Sequence, residues 1–306
     1  MRFTFVILLF LSLGADAQMI IKAHPNYVPL GRIPVTPLLD IYTNATHAYS
    51  LRKLRTAYTG SAIRVRRDST GQAEQDIGFT SFGDLDTVAL KNFVRNNSGF
   101  VVTWYDQQGS VNVTNAAQTG QPRIMLSGVI ERINGFPTLN SLGGRNLIGT
   151  VNIALSNMSY FGVVNVESTV GEDAIISLQV AGSSNQYRSI AARSGPLIGL
   201  LSRTAAGNFS ATSSIISLNT SYVFSGFWRS NTDREIFING GNSGTSTNTS
   251  AGFTATNLLI FKLRDTDAGG VNGYKGNCSE LVFFNSDQSA NKTGIESNIN
   301  SYYAIY

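Results

Sequence analysis

The chain has 306 residues, with 42% hydrophobic and only 14% charged side chains, well below the usual quarter. That length holds one large all-β domain or two small ones. The formal charge is +4, but the excess is local: Arg52, Lys53, Arg55, Arg64, Arg66 and Arg67 precede the first neighbouring acid, Asp68. No nucleic-acid motif accompanies these cations, so they read as solvated faces, and nucleic acid is excluded as a partner.

Residues 1–17 read as an export signal. Arg2 supplies the positive start, residues 3–13 are apolar apart from Thr4 and Ser12, and Ala15-Asp16-Ala17 fits the small-x-small cleavage pattern. The run is shorter than the roughly 20 residues a membrane span needs. A secreted or cell-surface product without a transmembrane span is expected. Residues 18–42 carry Pro25, Pro29, Pro34 and Pro37. Proline fixes φ and removes a donor, so this segment is expected to be an extended arm. Residues 43–306 are expected to form the folded domain.

From Thr43 the pattern predicts a short helix, capped by Thr43 or Asn44 and ending at Gly60, with Tyr49, Leu51, Leu54 and Tyr58 on one side. A hairpin follows over residues 62–79, turning at Asp68-Ser69-Thr70-Gly71. A second helix opens at Asp84 or Asp86, and residues 100–105 form a β-branched and aromatic strand. Beyond Gln121 the chain reads as strands and turns. Ser127-Gly128 and Asn134-Gly135 mark turns, and strands are expected near 160–167, 174–180, 187–193, 222–228, 234–239, 258–263 and 279–284. Residues 240–252, rich in Gly, Ser, Thr and Asn, are expected to be a flexible loop. A final helix spans about 289–303. Short strands at this spacing predict an all-β two-sheet sandwich with a few short peripheral helices.

Three segments carry a family resemblance. AYSLRKLRTAYTGSAIRVRR from Ala48, EQDIGF from Glu74 and FVVTWYDQQG from Phe100 together resemble the N-terminal half of the α-L-arabinofuranosidase B catalytic domain. The Arg234–Gly241 stretch and the Ser279–Phe284 strand resemble elements of concanavalin A-like and laminin-G-like sandwiches. The resemblance implies a concanavalin A-like jelly roll over about residues 48–306. The same opening is similar to modules of bacterial surface proteins and phage structural proteins.

The resemblance also implies where catalysis would lie. Retaining glycosidases need two carboxyl groups about 5 Å apart. The family's late Asp follows an apolar strand, which matches Asp265 after residues 258–264, with Asp267 second. The family's Asp-x-Glu-Asn is absent, with Arg193 or Ser194 near the Glu position; Glu167, Glu172 and Asp173 are the remaining acids of that region. The family's adjacent cysteine pair cannot exist in a chain whose one cysteine is Cys278, and that thiol reads as a small buried side chain. His24 and His47 both precede the expected sandwich, which disfavours a triad or a His metal cluster.

Trp104, Tyr187, Trp228 and Tyr274 are candidate sugar-stacking rings, with core packing the competing role for the tryptophans, which sit inside strand patterns. Asp265 and Asp267 are a possible Ca²⁺ pair, the only cofactor expected. Sequons such as Asn112-Val113-Thr114 matter only in a eukaryotic secretory pathway. The function expected from these residues is non-catalytic recognition of a carbohydrate or cell-surface glycan. The alternatives are an arabinofuranosidase-like glycoside hydrolase and a phage virion component. Oligomeric state is left open.

Overall fold

The computed structural model describes residues 35–204, 207–209, 213–268 and 273–306. The expected export signal and the arm up to residue 34 lie outside the described residues, as does His24. One compact unit runs from Thr36 to Tyr306. It is all-β and largely antiparallel, in a sandwich whose layers join along one side as in a barrel.

One layer runs Gly241–Ser246, Asp233–Ile238, Ser221–Ser230, Met158–Val166, Gly276–Phe284 and His47–Ser50. The other runs Leu197–Thr204, Tyr187–Arg193, Glu172–Gln179, Phe253–Ile260 and Leu147–Leu155, then through Val113–Thr114 to Gly99–Trp104, Ile63–Arg67 and Glu74–Ile77. Arg123–Leu126 bonds to Gly99–Trp104 on one side and to Leu139–Asn140 on the other, and the latter bonds to Gly276–Phe284. The layers touch face to face. A Cβ placed on Gly226 of the first layer would lie 2.6 Å from Leu200 and 2.7 Å from Ile190 of the second, so only glycine allows this approach.

Burial follows position. LIGTVNIAL of Leu147–Leu155 alternates buried and more open positions, as a strand with one covered face should. Met158–Val166, bonded on both edges, is buried at almost every position because its outer face is also covered. The cover is α3 (Lys292–Tyr303), following α1 (Leu38–Ile41) and α2 (Thr87–Val94) in the chain. Buried Glu296 of α3 accepts a 2.6 Å bond from Ser225 of that layer. Asp86 caps α2 through bonds from Val88 N and Ala89 N, as its sequence pattern predicts.

The helix expected from Thr43 is not formed. Residues His47–Ser50 are a strand paired with Gly276–Phe284, His47 opposite Phe283 and Ser50 opposite Glu280. A long-range partner overrides a local helical spacing. The 106–109 turn explains why AYSLRKL and WYDQQG occur together. Asp106 accepts from Ala48 N at 2.9 Å and lies 2.7 Å from His47 Nδ1. Gln107 accepts from Leu54 N and donates to the Ser50 and Arg52 carbonyls. Gly109 packs so closely that a Cβ there would meet Asp106 Oδ2 at 2.6 Å and Thr46 O at 2.8 Å. Residues 240–252 are also not one loop, since Gly241–Ser246 pairs with Asp233–Ile238. Leu147–Leu155 and Leu197–Thr204 are strands that the sequence pattern did not mark.

Arg52 and Glu280 form a buried ion pair, 2% and 0% exposed. Nε and Nη2 of the arginine donate to the two carboxylate oxygens at 2.7 and 2.9 Å. Ser50 and Tyr303 also donate to Glu280, and Asn298 accepts from Arg52. Burial alone would lower the guanidinium pKa; Glu280 more than offsets this and leaves it raised. The pair ties the first strand, the last strand and α3 together. Removing one partner strands a buried charge, so Glu280→Ala is expected to cost about 3–5 kcal/mol in urea unfolding. Cys278 is fully buried, and burial pushes its thiol far above the ordinary range. A maleimide reagent is therefore expected to label it only after denaturant unfolds the chain.

Candidate functional site

The site is built where strand Phe253–Ile260 ends. Phe261 takes a left-handed φ of 67° and donates to Ile175 O at 2.9 Å. The chain then folds back over the outer face of the second layer. Buried Leu263 packs with Ala174, Tyr187, Ala191 and Leu201 in a small cluster separate from the main core. This anchor brings Asp265 down onto the sheet. Its backbone N–H donates to Gln179 Oε1 at 3.2 Å, and its Oδ2 accepts from Gly182 N at 2.9 Å and Asn257 Nδ2 at 3.0 Å. Lys262 Nζ donates to the Asp265 carbonyl at 3.3 Å.

Strand register decides what lies beneath. Asn257 stands opposite Gln179, Gln179 opposite Tyr187, and Tyr187 opposite Arg203. Directly opposed residues share a face of the sheet, so these four form one polar row across four strands. Asp265 Oδ1, Gln179 Nε2 and Ser177 Oγ are buried with no hydrogen-bond partner among the described residues. Buried polar groups are nearly always paired in folded proteins, so each of these atoms calls for a partner such as a bound water, ion or ligand. The Tyr187 phenol is raised by burial first and then by the Glu172 charge, against the opposing pull of Arg264 and Arg203. Arg264 also grips Asp267, with Nε 2.8 Å from Oδ1 and the backbone N 3.2 Å from Oδ2.

The row offers amide, hydroxyl, phenol and guanidinium groups around a carboxyl with one oxygen clamped and the other unpaired. Such an arrangement suits the hydroxyls of a sugar and leaves one carboxyl oxygen for proton transfer. Gln179, Asn257 and Arg203 were not marked in the sequence. Polar residues alternating along a strand look like a wet face, and only the returning loop turns that face into a site.

The other candidates fall elsewhere. Trp104, Trp228 and Tyr274 are fully buried. The Tyr274 hydroxyl donates to Asn165 O at 2.8 Å and its ring stacks on Phe261. These three are core residues, because inward-facing strand positions put large rings between the layers, and the stacking role is corrected for them. Tyr187, at 5% exposure, stands in the row opposite Gln179, whose amide oxygen accepts from Asp265 N. Glu172 lies opposite Arg193 at the start of its strand, with Asp173 next to it, whereas Gln179 ends that strand. Counted along the backbone at roughly 3.3 Å per residue, either acid is about 20 Å from Gln179, although the Glu172 charge still reaches the Tyr187 phenol. Glu167 accepts from Asn140 and Asn277, away from the row. The two residues of the possible calcium pair, Asp265 and Asp267, lie in one loop, each with a partner. Arg264 already occupies Asp267, and no group of three or more metal-binding side chains occurs among the described residues.

A separate open cleft of about 220 Å³ lies against the Asp106 turn, lined by Arg55, Tyr58 and the 106–109 backbone among others. Both tryptophans being enclosed, their emission is expected to be blue-shifted and unchanged by saturating arabino-oligosaccharide; a red-shifted spectrum that responds to sugar would show a stacking role.

No family model matches the chain, and no curated protein sequence matches it. Solved structures do match. An arabinofuranosidase complexed with arabinofuranosyl-α-1,2-xylobiose superposes with a TM-score of 0.65 at 13% identity, over 87% of this chain and 65% of that one. A GH54 α-L-arabinofuranosidase soaked with a cyclic sulfate inhibitor gives 0.60 at 15% identity over the same shares. A glutamate-to-glutamine mutant of a GH54 enzyme soaked with 4-nitrophenyl α-L-arabinofuranoside gives 0.62 at 15%. The chain thus spans about 65% of the length of these proteins. The likeness establishes an arabinofuranosidase-like fold. It also corrects the expectation of a non-catalytic recognition module, because the matched structures are of arabinofuranosidases, one of them complexed with arabinofuranosyl-α-1,2-xylobiose and another soaked with an inhibitor.

Proposed function

We propose that this chain is a glycoside hydrolase of the arabinofuranosidase type, acting on an arabinofuranosyl-bearing glycan at the polar row beneath Asp265. The observation that carries this reading is the state of the Asp265 carboxyl. Gly182 and Asn257 hold Oδ2, while Oδ1 is buried without a partner among the described residues. A carboxyl fixed in this way is oriented before substrate arrives, and its second oxygen is the one to exchange a proton with a glycosidic oxygen. Ser177, Gln179, Asn257 and Tyr187 supply hydrogen bonds to ring hydroxyls, and Arg203 adds a positive charge to the row. Residues 1–17 support an exported enzyme that meets its glycan outside the cell. No helix among the described residues is long and apolar enough to cross a membrane.

The assay is release of nitrophenol from a chromogenic α-L-arabinofuranoside by the full chain. Turnover is expected in the wild type, with kcat/KM lowered about 10²–10⁴-fold in Asp265→Asn, the usual range for loss of a positioned acid or base. Asp267→Asn and Tyr187→Phe, assayed alongside, identify the group that acts opposite Asp265. A wild-type protein with no turnover above the blank, or an Asp265→Asn variant at full rate, overturns the reading.

A further inference from the structure

The inter-sheet core contains two buried arginines that no acid neutralises. Arg188 is 0% and Arg234 1% exposed. Arg188 lies opposite Leu178 and Ser202 in its layer, and Leu178 belongs to the main core, so the guanidinium points between the layers. Arg234 lies opposite Trp228, which lies opposite Met158, and the Tyr160 ring sits edge-on to Trp228 with centroids 5.9 Å apart. All four side chains therefore converge on one end of the same core.

Their acceptors are few and all neutral. Arg188 donates to Ser156 O at 2.6 Å, Ser250 O at 3.1 Å and Asn231 Oδ1 at 3.4 Å. Arg234 donates to Ser246 Oγ and Asn248 O. The 246–250 segment, which the sequence marked as a flexible loop, thus caps both guanidiniums. Arg188 Nε, Arg234 Nε and Nη1, Trp228 Nε1 and Tyr160 Oη remain buried with no partner among the described residues. Each of these can donate, and uncompensated buried charge is among the costliest features a fold can carry. Burial pushes the Arg188 guanidinium down to about 10; Tyr160 opposes the shift and the like charge of Arg234 adds to it.

We propose that this end of the core is a structural anion site, taking one monovalent, chloride-sized ion between Arg188 and Arg234. Convergent N–H and O–H donors from both layers suit a single spherical acceptor. Between close-packed layers about 10 Å apart, a monatomic ion is favoured over a larger tetrahedral oxyanion. The site stands apart from the hydrolase reading, since it lies on the opposite face of strand Tyr187–Arg193 from the polar row.

The test is thermal unfolding of the full chain in sodium chloride against sodium gluconate at equal ionic strength. Chloride at about ten times its dissociation constant is expected to raise Tm by roughly 3–5 °C in a saturable manner. Arg188→Met, which keeps the length and removes the charge, is expected to lose this dependence. Crystals grown in bromide are expected to show an anomalous peak between the two guanidiniums, a readout that holds if the variant does not fold. Equal Tm in both salts, stabilisation by sulfate but not chloride, or a bromide map without that peak overturns the proposal.

Discussion

The buried pair of Arg52 and Glu280 is the constraint on which the described domain turns. It joins residues more than two hundred positions apart, at the edge where the first strand meets the last. Neither charge is tolerable alone in that environment. The Arg52 guanidinium also sits 4.8 Å from the Tyr302 ring centroid, which brings α3 into the same knot. Strand His47–Ser50, strand Gly276–Phe284 and α3 are therefore held as one unit, and the Asp106–Gln107 turn is pinned to it from the other side. The two ends of the domain close the sandwich together.

The candidate site depends on a different device. A strand in the second layer ends in a left-handed residue, and an apolar anchor, Leu263, fastens the returning chain to the outer face of the sheet. Asp265 is then held against Asn257 and Gln179, whose row continues through Tyr187 and Arg203. The scaffold is rigid because four strands supply the floor. The chemistry is concentrated because a single loop supplies the carboxyl. The same sheet carries Arg188 on its inner face, so adjacent residues of one strand serve two different electrostatic environments.

Much of this was legible along the chain. The hairpin within residues 62–79, the capped α2, the strand expected at 100–105 and found at Gly99–Trp104, and the strand at 187–193 all follow from local pattern. Asp265 could be singled out from its place after an apolar strand, and the structure sets it at the end of strand Phe253–Ile260, over Gln179 and Asn257. The helix expected from Thr43 was misread because tyrosines and leucines at helical spacing also suit an edge strand with a distant partner. Glycines and small polar residues hid strand Gly241–Ser246, whose pairing comes from a neighbour rather than from its own propensity. Trp104 and Trp228 looked usable for sugar only because a sequence does not say which face of a strand is covered.

By itself the sequence determined the fold class and the turns, since these rest on local periodicity and on contiguous motifs. Tertiary structure alone decided which polar residues share a face with Asp265, which charges are buried, and which of them lack a partner. Register across strands sets those relations, and register is a property of pairs of distant segments, not of any one segment read alone.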